Sequence, residues 1–200
     1  MAAGRMGTSS GSKSAGSVTE ATVVATCQNR PMPRLTDREL TDFLDEPGHL
    51  LRLATIDESG MPRISPVWFV HQDGAIVFTP RERSVFLANL KRDPRIAVAV
   101  DEDALPYRKV SAQGRAEVLF DVGNDDAWRD TYRRIAQRYI TAEAAERYIQ
   151  DTIDQPRALI AVPLASADVA TWRMPIEGEA GTGIWAKRYY GEGTKMANRF

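Results

Sequence analysis

Apolar residues change their spacing several times along this chain, and the changes mark its elements. Residues 1–33 open on Gly, Ser, Ala and Lys without apolar period, the make-up of a flexible leader. Within it, VTEATVVATC (18–27) is interrupted by Glu20 and by threonines and does not read as a secretory signal; Cys27 is expected in a mobile segment. Helical spacing starts at Thr36, an N-cap with Glu39 three residues on; Leu40, Phe43 and Leu44 share a face, and Pro47-Gly48 ends the helix. Strand patterning follows over 49–57, 61–71 and 75–79. The turns Glu58-Ser59-Gly60 and Asp73-Gly74 separate these strands, predicting a three-stranded antiparallel meander.

A short helix is predicted over 84–92, with Ser84 as its N-cap, Phe86, Leu87 and Leu90 facing inward, and Lys91 and Arg92 at its negative end. Residues 96–100 (IAVAV) are apolar on both faces, as a covered strand requires. Residues 110–120 alternate, with Val110, Ala112, Ala116, Val118 and Phe120 on one side, and Gly114 is expected to be a bulge or bend. A helical insertion spans 124–153: Trp128, Tyr132, Ile135 and Tyr139 form one stripe, and Thr141 caps a second helix that turns Ala145, Tyr148, Ile149 and Thr152 inward. That aromatic stripe reads as core packing. Residues 157–172 return to strand, broken by Pro163, and the tail 174–200 carries Trp185, Tyr189 and Tyr190 among glycines. The expected fold is mainly β with flanking helices: a small barrel of about six antiparallel strands over residues 34–173.

Composition narrows the function classes. Hydrophobic residues make up 43% and charged ones 26%, and the formal net charge is -1, which offers no electrostatic ground for a nucleic-acid or membrane partner. No apolar run approaches the ~18 residues of a membrane span. One cysteine and two histidines exclude a disulfide scaffold and a thiolate or multi-histidine metal site. A cytoplasmic location is expected.

Local chemistry is sparse. The chain has no Gly-rich phosphate loop, no nucleophile elbow and no HExxH. His49 and His71 sit at strand ends and read as exposed. The strongest local signal is Arg81, Arg83 and Ser84 at the entrance to the 84–92 helix, where guanidinium forks and open backbone N–H groups suit a phosphate. The same residues also read as a solvated basic turn beside Glu82.

The order of motifs resembles a known family. The run LRLATIDESGMPRISPVWFVHQDGAIVFTPRERSVFLANLKRDPRIAVAVDE, followed by PYRKVSAQGRAEV, is similar to the pyridoxamine 5'-phosphate oxidase-like split β-barrel proteins, in particular their flavin and deazaflavin oxidoreductase branch. The resemblance covers roughly residues 35 to 173. It implies a split β-barrel, a homodimer, and a flavin-type cofactor held between subunits, either the deazaflavin coenzyme F-420, slightly favoured, or FMN. It implies a hydride transfer to or from a small unsaturated substrate, or, as the alternative, a non-catalytic flavin, deazaflavin or haem binder. Carried over by position, the cofactor would touch Arg63, Ile64, Ser65, Pro66, Val67, Trp68, Phe78, Thr79, Arg81, Arg83, Ser84 and Lys109. Two departures stand out. Val85 and Phe86 occupy positions where many relatives keep a lysine or arginine, so Arg81 and Arg83 would have to supply that charge. The C-terminal ATWRMPIEGE keeps Arg173 but has no histidine, which argues against oxidation of pyridoxamine phosphate itself. No residue stands out as proton donor; Tyr107 and Lys109 are the nearest by family position.

Overall fold

The computed structural model describes residues 33–178 and 191–195. The leader with Cys27, and Trp185, Tyr189 and Tyr190 of the tail, lie outside the described residues. The chain divides into two compact units, and residues 32–181, which hold all the elements below, form one of them.

Helix α1 (Asp37–Asp45) begins as its sequence predicts. The Thr36 hydroxyl accepts from Glu39 N, and the Glu39 carboxylate accepts from Thr36 N, while Phe43 and Leu44 are buried. Nine strands follow among the described residues: β1 (Leu51–Ile56), β2 (Pro62–Val67), β3 (Phe69–Gln72), β4 (Ala75–Phe78), β5 (Arg95–Asp101), β6 (Lys109–Arg115), β7 (Glu117–Phe120), β8 (Leu159–Pro163) and β9 (Asp168–Trp172). Helix α2 (Val85–Arg92) lies between β4 and β5; α3 (Arg129–Gln137) and α4 (Ala142–Asp151) lie between β7 and β8. All pairings are antiparallel, in two sheets ordered β2-β1-β5-β6-β9 and β3-β4-β8-β7.

The strand count exceeds the predicted six because long strands turn corners. The predicted 61–71 strand breaks at Trp68, so β2 pairs with β1 in one sheet and β3 with β4 in the other; the expected meander is therefore split. Tyr139 plugs this seam: its hydroxyl donates to the His49 carbonyl (2.7 Å) and accepts from Phe69 N (3.2 Å), pairing backbone groups that leave the ladder. The predicted 110–120 strand breaks at Ala116, whose N–H goes to the Pro94 carbonyl. Val110 and Ala112 are buried, but Val118 and Phe120, beyond the corner on the edge strand β7, are exposed. Gly114 is not a bulge: it pairs in register with Ile96, and a Cβ there would lie 3.2 Å from the Ala167 Cβ, so close strand–turn approach is what requires glycine.

Two apolar layers fill this unit. Between the sheets lies an aliphatic core including Leu51, Leu53, Ile76, Phe78, Val98, Val110 and Ile160, closed by Leu87 and Leu90 of α2. On the outer face of the four-stranded sheet, Val70, Val77, Leu159 and Ala161 meet Trp128, Tyr132, Ile135 and Ile149 of the helical insertion. Strand β8 is covered on both faces, which explains its unbroken apolar run. No helix among the described residues is long and apolar enough to cross a membrane. The two histidines, expected to be exposed, are largely covered and face the end of α1: His49 Nε2 lies 3.3 Å from Glu46 and His71 Nδ1 lies 3.1 Å from Asp45.

Candidate active site

The start of α2 stands between two open clefts. The turn before it is closed by its own polar groups, since Ser84 N and Ser84 Oγ both donate to the Arg81 carbonyl, at 2.9 and 2.6 Å. Ser84 therefore occupies the N-cap position without capping, and no side chain takes the first N–H groups of α2. Arg83 and Ser84 line both clefts. No described carboxylate pairs with Arg83.

The first cleft, of about 490 Å³, is walled by Pro66, Val67 and Trp68 where β2 hands over to β3, by Thr79, Arg81, Arg83, Ser84 and Phe86, and by Tyr132, Ile135, Tyr148 and Arg157. Trp68 stacks on Tyr139 (centroids 5.0 Å, planes 5° apart) and meets Tyr148 edge-on at 5.6 Å. Its volume and mixed lining are those of a small-molecule site. Thus Pro66, Val67, Trp68, Thr79, Arg81, Arg83 and Ser84, singled out from sequence, come together.

The remaining sequence candidates are placed elsewhere. Arg63 lines the second cleft, of about 540 Å³, where its Nε donates to Asp57 at 3.0 Å. Asp57 also accepts from Ser59 and Met61. Hydrogen bonds from the Ser59 hydroxyl and then Arg63 hold its carboxyl well below the usual range. Ile64 is 73% exposed and Ser65 half-buried on the same edge strand. Phe78 is fully buried in the aliphatic core. Lys109 lines neither cleft; its Nζ sits 5.5 Å from the Trp172 ring. Tyr107 is 44% exposed in the turn before β6 and lines neither cleft.

The far wall is built by residues remote from one another in sequence. The segments 80–82 and 156–158 are laced together by Ala158 N to Pro80 O (3.0 Å) and Glu82 N to Pro156 O (2.9 Å), which sets Arg81 opposite Arg157. The Tyr148 hydroxyl accepts from both guanidiniums, at 2.9 Å from Arg81 and 3.2 Å from Arg157. Arg157 is buried at 5% exposure, lies over the Tyr132 ring at 4.5 Å, and gives Nη1 to the Thr79 carbonyl. Its Nε has no partner, and no described carboxylate pairs with its guanidinium. Asp125 is spent on the Arg157 backbone N–H (3.0 Å). Burial pushes Tyr132 up to about 12. Burial also works to raise Tyr148, but the Tyr132 hydrogen bond and the Arg157 charge outweigh it and leave Tyr148 below the ordinary tyrosine value. The sequence places residue 157 at the start of a strand and Tyr148 on an inward helix face, and neither position by itself points to a ligand. The signal that could have found them is the arginine immediately before the most apolar strand, a position where an unpaired charge is costly.

Comparison with known proteins places this geometry. The chain is similar in fold to a conserved hypothetical protein from Mycobacterium tuberculosis (TM-score 0.58, 23% identity, 76% of this chain and 97% of that one). It is also similar to HutZ, the heme storage protein from Vibrio cholerae (TM-score 0.53, 18% identity, 69% and 94%). A weaker likeness to an F420 reductase (TM-score 0.47, 22% identity, 64% and 93%) carries no argument. No curated protein matches the chain. A family model described as pyridoxamine 5'-phosphate oxidase matches residues 36–169.

Proposed function

The chain belongs to the pyridoxamine 5'-phosphate oxidase family, and on that premise we propose that it is an oxidoreductase whose flavin-type cofactor lies in the first cleft with its phosphate at the start of α2. The observation that carries this reading is the uncapped α2 terminus beside Arg83, which has no carboxylate partner among the described residues. Helix N–H groups and a free guanidinium together suit a phosphate. Val67 and the Trp68 ring supply a flat apolar wall for a fused ring system. These residues fit such a cofactor, of which the deazaflavin coenzyme F-420 is slightly favoured over FMN on the likeness of the PVWF strand and the PYR turn to deazaflavin-using proteins.

When bound, the cofactor supplies hydride transfer. The chain's own contribution is placement and exclusion of water: Trp68 is held flat by Tyr139, and the 80–82 and 156–158 segments fix the polar wall. Pyridoxamine phosphate is not the proposed substrate, because Arg173, the remnant of the family's substrate-gripping element, pairs with Glu39 of α1 at 3.5 Å. A storage role without turnover is separated by adding substrate to the reduced holoprotein, which an enzyme reoxidises and a carrier does not. We also propose a homodimer. Met61 (62% exposed) and Ile64 (73%) lie just before and on the edge strand β2, and Val85 (63%) lines the second cleft, so a second copy would cover them.

The test is a titration of the full chain with FMN and with F-420. Arg83→Ala is expected to weaken whichever cofactor binds by roughly ten- to hundredfold, the loss of one charge-assisted contact. Lys91→Ala serves as the control, because Lys91 sits in the last turn of α2 and pairs with Asp121 at 2.7 Å. Arg83→Ala binding like the parent overturns the phosphate seat.

A further inference from the structure

The far wall of the cleft carries more positive charge than one phosphate at α2 accounts for. Arg81 gives its Nη2 to the Tyr148 hydroxyl. Arg157 reaches the same hydroxyl from the other side. Two guanidiniums therefore converge on one phenol, and neither is ion-paired with an acid among the described residues. Two like charges brought together, one of them buried, are unfavourable on their own account, so the arrangement suits an anion. Arg157 is also built in rather than adventitious. It is buried, held by the Thr79 carbonyl and the Tyr132 face, and keeps an unpartnered Nε.

The surroundings select the kind of anion. Trp68, Tyr132 and Tyr148 make the adjoining walls aromatic, and Ile135 adds an apolar side chain. A guanidinium fork matches the plane of a carboxylate, and the rings match a flat conjugated body. We propose that Arg81, Tyr148 and Arg157 form a carboxylate subsite, separate from the cofactor's phosphate seat, that receives a planar aromatic or conjugated carboxylic acid. That this acid is the substrate of the redox reaction rests on the flavin reading above; that it binds does not.

The Tyr148 hydroxyl accepts from both arginines and lies beside the Tyr132 hydroxyl, so its own proton can turn to a further acceptor. A carboxylate oxygen in the cleft would be such an acceptor, giving a three-point grip in which Arg81 and Arg157 supply charge and Tyr148 supplies a neutral donor. Glu82, the nearest acid in sequence to Arg81, lines the other cleft instead.

The probe is benzoate, titrated calorimetrically into the full-length protein beside benzamide, its neutral analogue, and inorganic phosphate. Benzoate is expected to bind, benzamide to bind at least roughly tenfold more weakly, and phosphate not to displace benzoate. Arg157→Met and Arg81→Gln are each expected to weaken benzoate roughly tenfold, and Arg157→Met, at a residue outside the cofactor set, to leave FMN or F-420 affinity within about twofold. Should Arg157→Met fail to fold, Arg81→Gln carries the comparison. Benzamide equal to benzoate, displacement by phosphate, variants that bind benzoate like the parent, or no benzoate binding at all would each overturn the proposal. So would a larger loss of cofactor than of benzoate in Arg157→Met, because the charge would then belong to the cofactor seat. Benzoate binding with no binding of either cofactor upholds the subsite and removes the flavin reading, so the two failures are distinguishable.

Discussion

Two arginines, Arg108 and Arg157, have almost the same apolar setting and opposite electrostatic ones. Arg108 lies over the Phe43 ring at 4.6 Å; Arg157 lies over the Tyr132 ring at 4.5 Å. Arg108 grips Glu46 with both terminal nitrogens (2.6 and 2.7 Å) and Glu102 with Nε and Nη2 (3.0 and 2.6 Å). It ties the end of α1 to the β5–β6 connection and closes its own charge balance. Glu46, His49 and Glu102 come within 4.8 Å of one another, but both carboxylates are already satisfied by Arg108. Arg157 is the more deeply buried of the two and has no described acid. The difference teaches where to look for ligands in this fold: a charge neutralised by its own chain maintains structure, and a buried charge that is not neutralised awaits something from outside.

The sharpest way to break that contrast is Arg108→Met. It strands two carboxylates and should cost about 3 kcal/mol at neutral pH by chemical denaturation. The pH dependence has a defined sign. Hydrogen bonds from Arg108 hold both Glu46 and Glu102 below the ordinary carboxylate range. Their contribution is therefore complete above that range and disappears as the pH falls through the lowered folded-state values. The stability gap between parent and variant should shrink on acidification; a gap that is constant with pH would assign the loss to packing alone.

Arg157→Met should behave differently. It removes a buried charge that strands no acid and keeps most of the side-chain volume, so stability should change by less than about 1 kcal/mol in either direction. Thermal and denaturant unfolding check this, and a loss comparable to that of Arg108→Met would make Arg157 a structural residue and erase the contrast.

Much of this architecture is legible in the sequence, and the parts that are not share a cause. Thr36 with Glu39 and the α2 face of Leu87 and Leu90 follow from local spacing and emerge as read, whereas the 96–100 strand, expected to be covered on both faces, buries Ile96, Val98 and Val100 and leaves Ala97 and Ala99 half-buried. The corners at Trp68 and Ala116 do not follow from local spacing, because period-two alternation runs through a corner unchanged. What makes the corner at Trp68 is Tyr139, 70 residues downstream of Phe69. The cleft divides in the same way. Arg81, Arg83 and Ser84 are neighbours in sequence and visible as a cluster, whereas Tyr148 and Arg157 join them only through the pairing of segments 80–82 and 156–158. Arg108 and Arg157 each look like an ordinary arginine before an apolar strand; only their partners, remote in sequence for Arg108 and missing for Arg157, tell them apart.

The central claim, that the cleft at the start of α2 seats the phosphate of a flavin-type cofactor, is tested most directly by comparing two ligands that differ only in that group. FMN and riboflavin are titrated into the same preparation at low and high salt. FMN is expected to bind at least roughly tenfold tighter than riboflavin, with the advantage shrinking as salt screens Arg83 and the helix terminus. Equal affinity for the two at low salt would contradict it.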